Sequence, residues 1–226
     1  MLRAYQIEPF TFSSGSHVLP ATLYPAAADP TGAGIVLAPG AGANQRHTFM
    51  TALAAALADR GIAVLTFDFP YMAERRRRPD PTAVLEAAWR DAIAFGREHL
   101  PSSLLIGGKS MGGRLATHVA ANTAGLGIEG VVCLGYPLRP PGRDIRPVDH
   151  LRALSVPVLI LQGTRDVFGD PSTLAAALGQ GSRVEIVTIE GADHGFGRPK
   201  ALTRTSAPVV DLLADLALEW TRRVLA

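Results

Sequence analysis

Short apolar runs alternate along this chain with longer segments whose apolar residues recur at helical spacing. Several of these runs are continuous stretches of Val, Ile and Leu, which is typical of strands buried on both faces in a parallel sheet. The runs predict strands at 19–24, 35–38, 62–67, 104–106, 131–134, 158–161 and 184–189. The spaced segments predict helices at 49–60, 82–100, 110–121, 171–178 and 205–225. The alternation predicts an α/β fold, a doubly wound and mostly parallel sheet of about seven or eight strands with helices on both faces.

The length and the loops of the chain favour one domain. The 226 residues suit a single domain of ordinary size, and no linker rich in Pro, Gly or Ser divides them. The loop 135–157 has room for a short helix near 148–154 and none for a cap domain. We therefore expect residues 1–226 to form a single domain, with its ligand at the carboxyl ends of the strands.

Charge and cysteine content exclude several classes of protein. Lys and Arg number 22 against 20 Asp and Glu, a formal net charge of +2, whereas nucleic-acid-binding domains usually carry a broad basic face. The single cysteine, Cys133, excludes an internal disulfide and a CxxC metal site, and its place in a predicted strand indicates a buried apolar role. No signal-peptide pattern and no apolar run of about 18 residues is present. The sequence thus predicts a cytoplasmic protein that binds neither nucleic acid nor membrane.

The segment Gly108-Lys109-Ser110-Met111-Gly112 matches the pattern G-x-S-x-G between a predicted strand and a predicted helix. In a nucleophile elbow the serine sits on a strained strand-to-helix turn, and the two glycines remove side chains that would clash with neighbouring backbone. Ser110 is therefore the candidate nucleophile. The alternative is a plain glycine-rich turn with a helix-capping serine.

An acid and a base follow Ser110 in the chain order expected of this kind of site. Asp166 lies just beyond the predicted strand 158–161, and His194 lies just beyond the strand 184–189. Because the carboxyl ends of parallel strands meet at one edge of a sheet, all three residues are predicted to converge. His194 would act as general base and Asp166 would orient its imidazole. Two rivals of Asp166 are weaker, since Asp170 precedes a proline as a helix cap and Asp193 is adjacent to His194 in sequence.

A loop of small residues follows the predicted strand 35–38, and small residues let the backbone approach an oxyanion closely. We predict an oxyanion hole made by the backbone N–H groups of Ala41 and Met111, with Gly42 as the alternative to Ala41. A nucleotide-phosphate loop is the competing interpretation, but Gln45 stands where G-x-G-x-x-G needs its third glycine.

The run Arg75–Arg78 follows the predicted strand 62–67 and so borders the same edge of the sheet. A nucleic-acid patch is the weakest interpretation, because no stacking aromatic residues interleave the run, and two others are open. One or two guanidinium groups bind an acidic group of the substrate, or the run is solvated and pairs with Glu74 and Asp80.

Aromatic side chains in loops at this edge are candidate substrate contacts. They either line an acyl or alcohol pocket or pack in the core. The candidates are Phe69, Tyr71, Tyr136 and Phe196.

Four motifs together resemble the α/β-hydrolase superfamily. They are Leu37-Ala38-Pro39-Gly40-Ala41-Gly42, Phe67-Asp68-Phe69-Pro70-Tyr71, Gly108-Lys109-Ser110-Met111-Gly112-Gly113-Arg114 and Gly191-Ala192-Asp193-His194. Within the superfamily they are similar to a small lidless branch related to dienelactone-hydrolase-like esterases, which includes the hydrolase-like subunit of a histone-acetyltransferase regulatory complex. The resemblance implies serine-hydrolase chemistry on Ser110, Asp166 and His194.

Two positions depart from the family pattern. Pro39 stands where many α/β-hydrolases have histidine. The nucleophile is serine where dienelactone hydrolases use cysteine, so their substrate is not implied.

The expected function is a carboxylesterase-type serine hydrolase that cleaves small or soluble carboxylic esters or thioesters through an acyl-enzyme on Ser110. No metal or organic cofactor is implied, and the expected partner is a small-molecule ester. The alternative of a different class is a non-catalytic protein-interaction module that keeps the hydrolase scaffold. Other acyl-transfer chemistry on the same scaffold is a third possibility.

Overall fold

An eight-stranded sheet forms the centre of the computed structural model, which describes residues 7–27, 30–140, 142–199 and 208–226. The strands follow the order β1-β2-β4-β3-β5-β6-β7-β8. The first two run antiparallel to their neighbours, and all the others are parallel. The strands are β1 (Glu8–Ser14), β2 (His17–Tyr24), β3 (Ala33–Ala38), β4 (Ala63–Phe67), β5 (Ser103–Lys109), β6 (Gly130–Leu134), β7 (Val158–Gly163) and β8 (Val184–Ile189).

The helices cover both faces of this sheet. They are α1 (Thr48–Asp59), α2 (Pro70–Ala73), α3 (Thr82–His99), α4 (Met111–Asn122), α5 (Asp149–Arg152), α6 (Pro171–Leu178) and α7 (Val209–Leu225). Leu53 of α1 and Leu213 of α7 belong to one apolar cluster, while Trp89 of α3 and Leu115 of α4 belong to the other. Successive residues of a strand point to opposite faces, so the parallel strands contribute to both clusters and consist of continuous apolar runs.

The point where the strand order reverses lies between β3 and β5. These two strands are paired from Ala33 opposite Ser103 to Ala38 opposite Gly108. Their connections then leave in opposite directions across the sheet, which opens a crevice at the carboxyl ends of the strands. The loop after β3 and the turn after β5 border this crevice.

The predicted fold class is confirmed, and four local differences have physical reasons. Strand β1 was not predicted, because it is an edge strand with mostly exposed residues and little apolar signal. The four-residue helix α2 was also not predicted. Helix α4 begins at Met111 and excludes Ser110, whose backbone is not helical. Helix α7 begins at Val209, and positions 205–207 of the predicted helix lie outside the described residues.

Two further features bear on the sequence predictions. Cys133 is buried in β6 and has a free thiol, as its place in the sequence indicates. Within the described ranges, no helix combines the length and the apolar character that crossing a bilayer requires. The cytoplasmic location and the single-domain organisation stay predictions.

Candidate active site

Ser110 occupies a sharp turn between β5 and α4 with φ 50° and ψ −115°. A non-glycine residue in this region is strained by about 1–3 kcal/mol, and such strain is common at functional sites. A methyl group on Gly108 would lie 2.3 Å from the Ala38 carbonyl oxygen, and one on Gly112 would lie 2.5 Å from the same atom. Both distances are far inside van der Waals contact, so the turn requires the two glycines of the motif.

The structure brings Ser110, His194 and Asp166 together at the carboxyl edge of the sheet. His194 Nε2 lies 2.8 Å from Ser110 Oγ, and His194 Nδ1 lies 2.7 Å from Asp166 Oδ2. A carboxylate only accepts hydrogen bonds, so Nδ1 donates to Asp166 and Nε2 is left to accept from the serine hydroxyl. This is the hydrogen-bonded arrangement that a Ser-His-Asp triad needs.

Both carboxylate oxygens of Asp166 accept hydrogen bonds. Its side chain is 1% exposed. Oδ1 accepts from the backbone N–H of Phe168 at 2.8 Å, and Oδ2 accepts from Gln162 Nε2 at 3.0 Å as well as from His194. Gln162 in turn accepts from the Tyr136 backbone N–H at 2.7 Å and is fully buried at the end of β7. Gln162 therefore positions Asp166, a role that its place in an otherwise apolar run did not reveal.

The backbone N–H groups proposed for the oxyanion hole lie beside the serine. Ala41 lines the same cavity as Ser110, and Met111 follows Ser110 directly at the start of α4. Neither N–H donates a hydrogen bond within the described part of the chain. The N–H of Gly42 instead donates to Tyr71 Oη at 3.0 Å. The N–H of Gly42 therefore already has an acceptor, and the N–H of Ala41 is the one that remains available to an oxyanion.

The loop 39–47 between β3 and α1 contains the proposed donor Ala41, and we call it the oxyanion loop. It is held by hydrogen bonds to Thr66 of β4 and to Asp68, just after β4. The backbone N–H of Gln45 donates to Asp68 Oδ1 at 2.6 Å, and the Thr66 hydroxyl donates to Gln45 Oε1 at 3.0 Å. Burial raises the pKa of Asp68, and the hydrogen bond from the Gln45 backbone opposes this. A charge-assisted hydrogen bond of this kind holds the loop in one conformation.

A cavity of about 340 Å³ opens at Ser110 and His194. Its apolar wall includes Phe49, Met50 and Phe168, and the Phe168 ring lies 4.2 Å from the His194 ring. A cavity of this size falls at the lower end of the roughly 300–1,000 Å³ that small-molecule sites occupy. The arrangement suits a small substrate with an apolar portion.

Lys109 also lines this cavity, and its ammonium lies beside Gly135, on the side where His194 Nδ1 meets Asp166 Oδ2. Burial lowers the pKa of Lys109 to about 8, and the charges of Asp166 and Asp193 act in the opposite direction. Its ammonium lies 5.5 Å from the centre of the Phe196 ring. Among the described residues it forms no ion pair within 4.0 Å.

Of the two interpretations of the four aromatic residues, core packing is the one that their burial favours. Phe69 and Tyr71 are fully buried, Tyr136 and Phe196 are 2% exposed, and none of them lines the cavity. Each packs internally because the loops fold back onto the core. Phe69 packs edge-on against a neighbouring phenylalanine, Phe196 stacks on Phe49, and the Tyr71 hydroxyl holds Gly42.

The cavity instead takes its aromatic wall from two residues that the sequence analysis did not single out. Phe168 lies two residues after Asp166, and Phe49 lies in the first turn of α1, after the oxyanion loop. Closeness in sequence to the site residues is the signal that could have identified both.

The arginine run lies apart from the cavity. Residues 75–78 are all exposed, and none of them lines the cavity at Ser110. Arg76 pairs with Glu74 at 2.8 Å and with Asp80 at 2.7 Å. The exposure and the ion pairs of Arg76 favour the interpretation in which the run is solvated and pairs with Glu74 and Asp80.

The fold and the arrangement of Ser110, Asp166 and His194 are those of the α/β hydrolases as a class. The chain belongs to the alpha/beta hydrolase domain family, whose model matches residues 31–222. Membership of the superfamily, expected from the sequence motifs, is confirmed.

Similar solved structures share this fold over nearly their whole length. An α/β serine hydrolase without a lid from Xanthomonas campestris is 19% identical with a TM-score of 0.71, and the match covers 99% of this chain and 96% of that chain. A dienelactone hydrolase from Anabaena variabilis is 23% identical with a TM-score of 0.71, covering 97% and 98%. Est1E from Butyrivibrio proteoclasticus, solved with ferulic acid bound, is 17% identical with a TM-score of 0.71, covering 93% and 98%.

Proposed function

We propose that this protein is a serine hydrolase that cleaves small carboxylic esters or thioesters. The observation that carries the proposal is the hydrogen-bonded chain from Ser110 through His194 to Asp166 at the mouth of a cavity. Two of the similar structures are Est1E with ferulic acid bound and a dienelactone hydrolase. These names support hydrolysis of a carboxylic ester as the reaction class.

The reaction follows from the positions of these groups. Ser110 Oγ attacks the carbonyl carbon while His194 Nε2 takes the hydroxyl proton, and the oxyanion accepts hydrogen bonds from the backbone of Ala41 and Met111. The tetrahedral intermediate collapses, the bond to the alcohol or thiol breaks, and His194 returns the proton to that leaving group. A water molecule, deprotonated by His194, then attacks the acyl-enzyme and releases the carboxylic acid and free Ser110.

The cavity favours a compact substrate. Its volume of about 340 Å³ accommodates a short acyl or aryl group. The loop 135–157 holds only the four-residue helix α5 in its described part, so no cap domain is built there. Phe49 and Phe168 provide an apolar surface for the substrate, while Lys109 provides a charge.

The charge of Lys109, beside the cavity, favours esters that carry a carboxylate. We predict that the para-nitrophenyl monosuccinate ester is favoured over the para-nitrophenyl pentanoate ester by about 5-fold or more below pH 8, on the scale of a partly buried ion pair. The pKa of Lys109 is about 8, so the ammonium is charged below that pH and neutral above it. The preference is therefore lost as the pH rises.

The measurement is the ratio of kcat/KM for the two esters between pH 6.5 and 9.5, roughly the range that spans the lysine titration. Ionisation of the catalytic groups affects both substrates and cancels in the ratio. Lys109→Met is expected to give a low, pH-independent ratio. A wild-type ratio that does not change with pH would show that Lys109 does not contact the substrate carboxylate.

The hydroxyl of Tyr71 is expected to matter for catalysis although it touches no substrate. In Tyr71→Phe the N–H of Gly42 loses its acceptor and the oxyanion loop loses one anchor, so kcat should fall about 10-fold with KM nearly unchanged. The matched control is Tyr24→Phe, which removes the hydroxyl of another buried tyrosine, on β2. Equal kcat values in the two variants would contradict the positioning role.

A further inference from the structure

A second cavity lies beside helix α4, outside the catalytic site. It has a volume of about 370 Å³ and shares no lining residue with the cavity at Ser110. Its polar lining comes from Arg114 and His118 of α4, Tyr136 and Arg146 of the loop after β6, and His150 of α5. We call it the arginine cavity.

Neither arginine of this cavity is paired with an acid. Arg114 Nη1 donates to His118 Nε2 at 3.0 Å, and Arg146 Nη1 donates to the Pro137 carbonyl oxygen at 2.9 Å. No carboxylate of the described chain lies within 4.0 Å of either guanidinium. A guanidinium has five N–H donors, and these hydrogen bonds use one nitrogen, Nη1, of each arginine. The other guanidinium nitrogens of Arg114 and Arg146 are not among the buried atoms that lack a hydrogen-bond partner. The unused donors are therefore not sealed in the core, and both arginines line the cavity.

The two histidines of the cavity are uncharged at neutral pH. Their rings stack with centroids 4.0 Å apart, and His150 Nε2 lies 3.1 Å from Thr117 Oγ1 and 3.3 Å from Tyr136 Oη. Burial lowers the pKa of each imidazole to about 4, and the positive charge of Arg114 acts in the same direction. The positive charge of the cavity thus resides on the two arginines alone.

The acidic groups nearby do not balance that charge. Asp149 also lines the cavity, but its side chain is 81% exposed and pairs with Arg152 at 3.0 Å. Glu86 acts on Arg114 only as its weakest electrostatic neighbour. Burial lowers the pKa of the Arg114 guanidinium, and the charge of Arg146 adds to this effect. An anion bound in the cavity would offset the repulsion between these two guanidinium groups.

We propose that the arginine cavity binds a small organic phosphate through its phosphate group. A phosphate monoester carries about −1.5 to −2 charges at neutral pH, which matches two guanidinium groups, whereas a monocarboxylate balances only one. Planar guanidinium forks bind phosphate oxygens bidentately. The volume is larger than a bare phosphate needs and falls within the roughly 300–1,000 Å³ of small-molecule sites, so the organic part of the ligand lies in the same cavity.

The bound phosphate also contacts segments that hold the catalytic residues. The backbone N–H of Arg114 donates to the Ser110 carbonyl oxygen at 3.0 Å. The backbone N–H of Tyr136 donates to Gln162, which bonds Asp166. Occupancy of the arginine cavity therefore stabilises the first turn of α4 and the loop after β6. The proposal goes beyond the ester hydrolysis proposed above and does not depend on it.

The first test is thermal unfolding and isothermal titration calorimetry with inorganic phosphate, phenyl phosphate and benzoate at constant ionic strength. Phosphate and phenyl phosphate should each raise Tm in a saturable manner, and benzoate should not. Arg114→Met and Arg146→Met should each weaken phosphate binding by about 10-fold or more, on the scale of one lost charged contact. Arg223→Met, which removes an exposed arginine paired with Glu185, should bind phosphate like the wild type.

The second test measures histidine pKa values in the wild type, so it does not depend on whether the arginine variants fold. Bound phosphate favours the protonated imidazole, so the pKa values of His118 and His150 measured by NMR should rise on its addition. Signals are assigned with His118→Gln and His150→Gln. Absence of saturable phosphate binding, unchanged histidine pKa values at saturation, or equal binding of benzoate and phenyl phosphate would each overturn the proposal.

Discussion

Replacement of Ser110 by alanine is expected to lower kcat for a para-nitrophenyl ester by about 10⁴–10⁶-fold, the range found when a triad nucleophile is removed. The methyl group of alanine offers His194 no proton to accept and the carbonyl carbon no nucleophile. Any residual rate comes from the backbone donors of Ala41 and Met111. KM should change little, because the hydroxyl is a small part of the cavity wall.

A fluorophosphonate probe tests the same prediction without a choice of substrate. The wild type should be labelled covalently at Ser110, and Ser110→Ala should not be labelled. The matched control is Ser102→Ala, which removes an exposed serine just before β5 and should be labelled like the wild type. Equal labelling of the wild type and Ser110→Ala would end the serine-hydrolase proposal.

Turnover of nitrophenyl esters and recovery of a protein partner together separate the two classes of function that the sequence left open. A non-catalytic interaction module would show no turnover across a panel of nitrophenyl esters and would recover a stoichiometric protein partner. A hydrolase shows turnover that disappears with Ser110. The hydrogen bond of 2.8 Å between Ser110 and His194 favours the hydrolase.

Replacement of Asp166 by asparagine is expected to lower kcat by about 10⁴-fold with the fold intact. All groups around the carboxylate are donors: His194 Nδ1, Gln162 Nε2 and the Phe168 backbone N–H. The side-chain amide keeps one oxygen, which remains with Phe168, and turns an NH₂ group toward His194. The imidazole then carries its proton on Nε2, donates to Ser110 instead of accepting from it, and cannot act as base.

Asp170→Asn is the matched control for this substitution. Asp170 lies four residues further along and caps α6 through the backbone N–H groups of Ser172 and Thr173. Asparagine keeps one oxygen to cap the helix and loses only the acceptor of the Thr173 hydroxyl, so the variant changes the same charge and should keep its fold and its kcat. Comparable losses of kcat in the two variants would show that charge near the site matters and that the tautomer of His194 does not.

The sheet and the three site residues could be predicted because they depend on local pattern and on one topological rule. The continuous apolar runs predict parallel strands, and the positions just beyond three of them contain Ser110, Asp166 and His194. Residues far apart in sequence converge there, since the carboxyl ends of parallel strands share one edge. Strand β1 could not be predicted in this way, because an exposed edge strand has little apolar pattern.

The choice between Ala41 and Gly42 as the oxyanion donor could not be made from the local sequence pattern. Both residues are small, and both follow β3 in the same loop. Tyr71, on a different element, accepts the N–H of Gly42, whereas the N–H of Ala41 has no acceptor in the described part of the chain. Nothing near the loop in sequence carries this information.

The amino-acid sequence by itself determined the strand-helix alternation, the glycines that the turn at Ser110 requires, and the order of the three site residues, since each depends on short segments and on backbone sterics. The tertiary structure alone decided which aromatic rings are buried, which cation lies beside the cavity, and that two arginines share a second cavity without an ion-paired carboxylate among the described residues. These features depend on side chains from separate elements meeting across a few ångströms, and such contacts follow from packing in three dimensions.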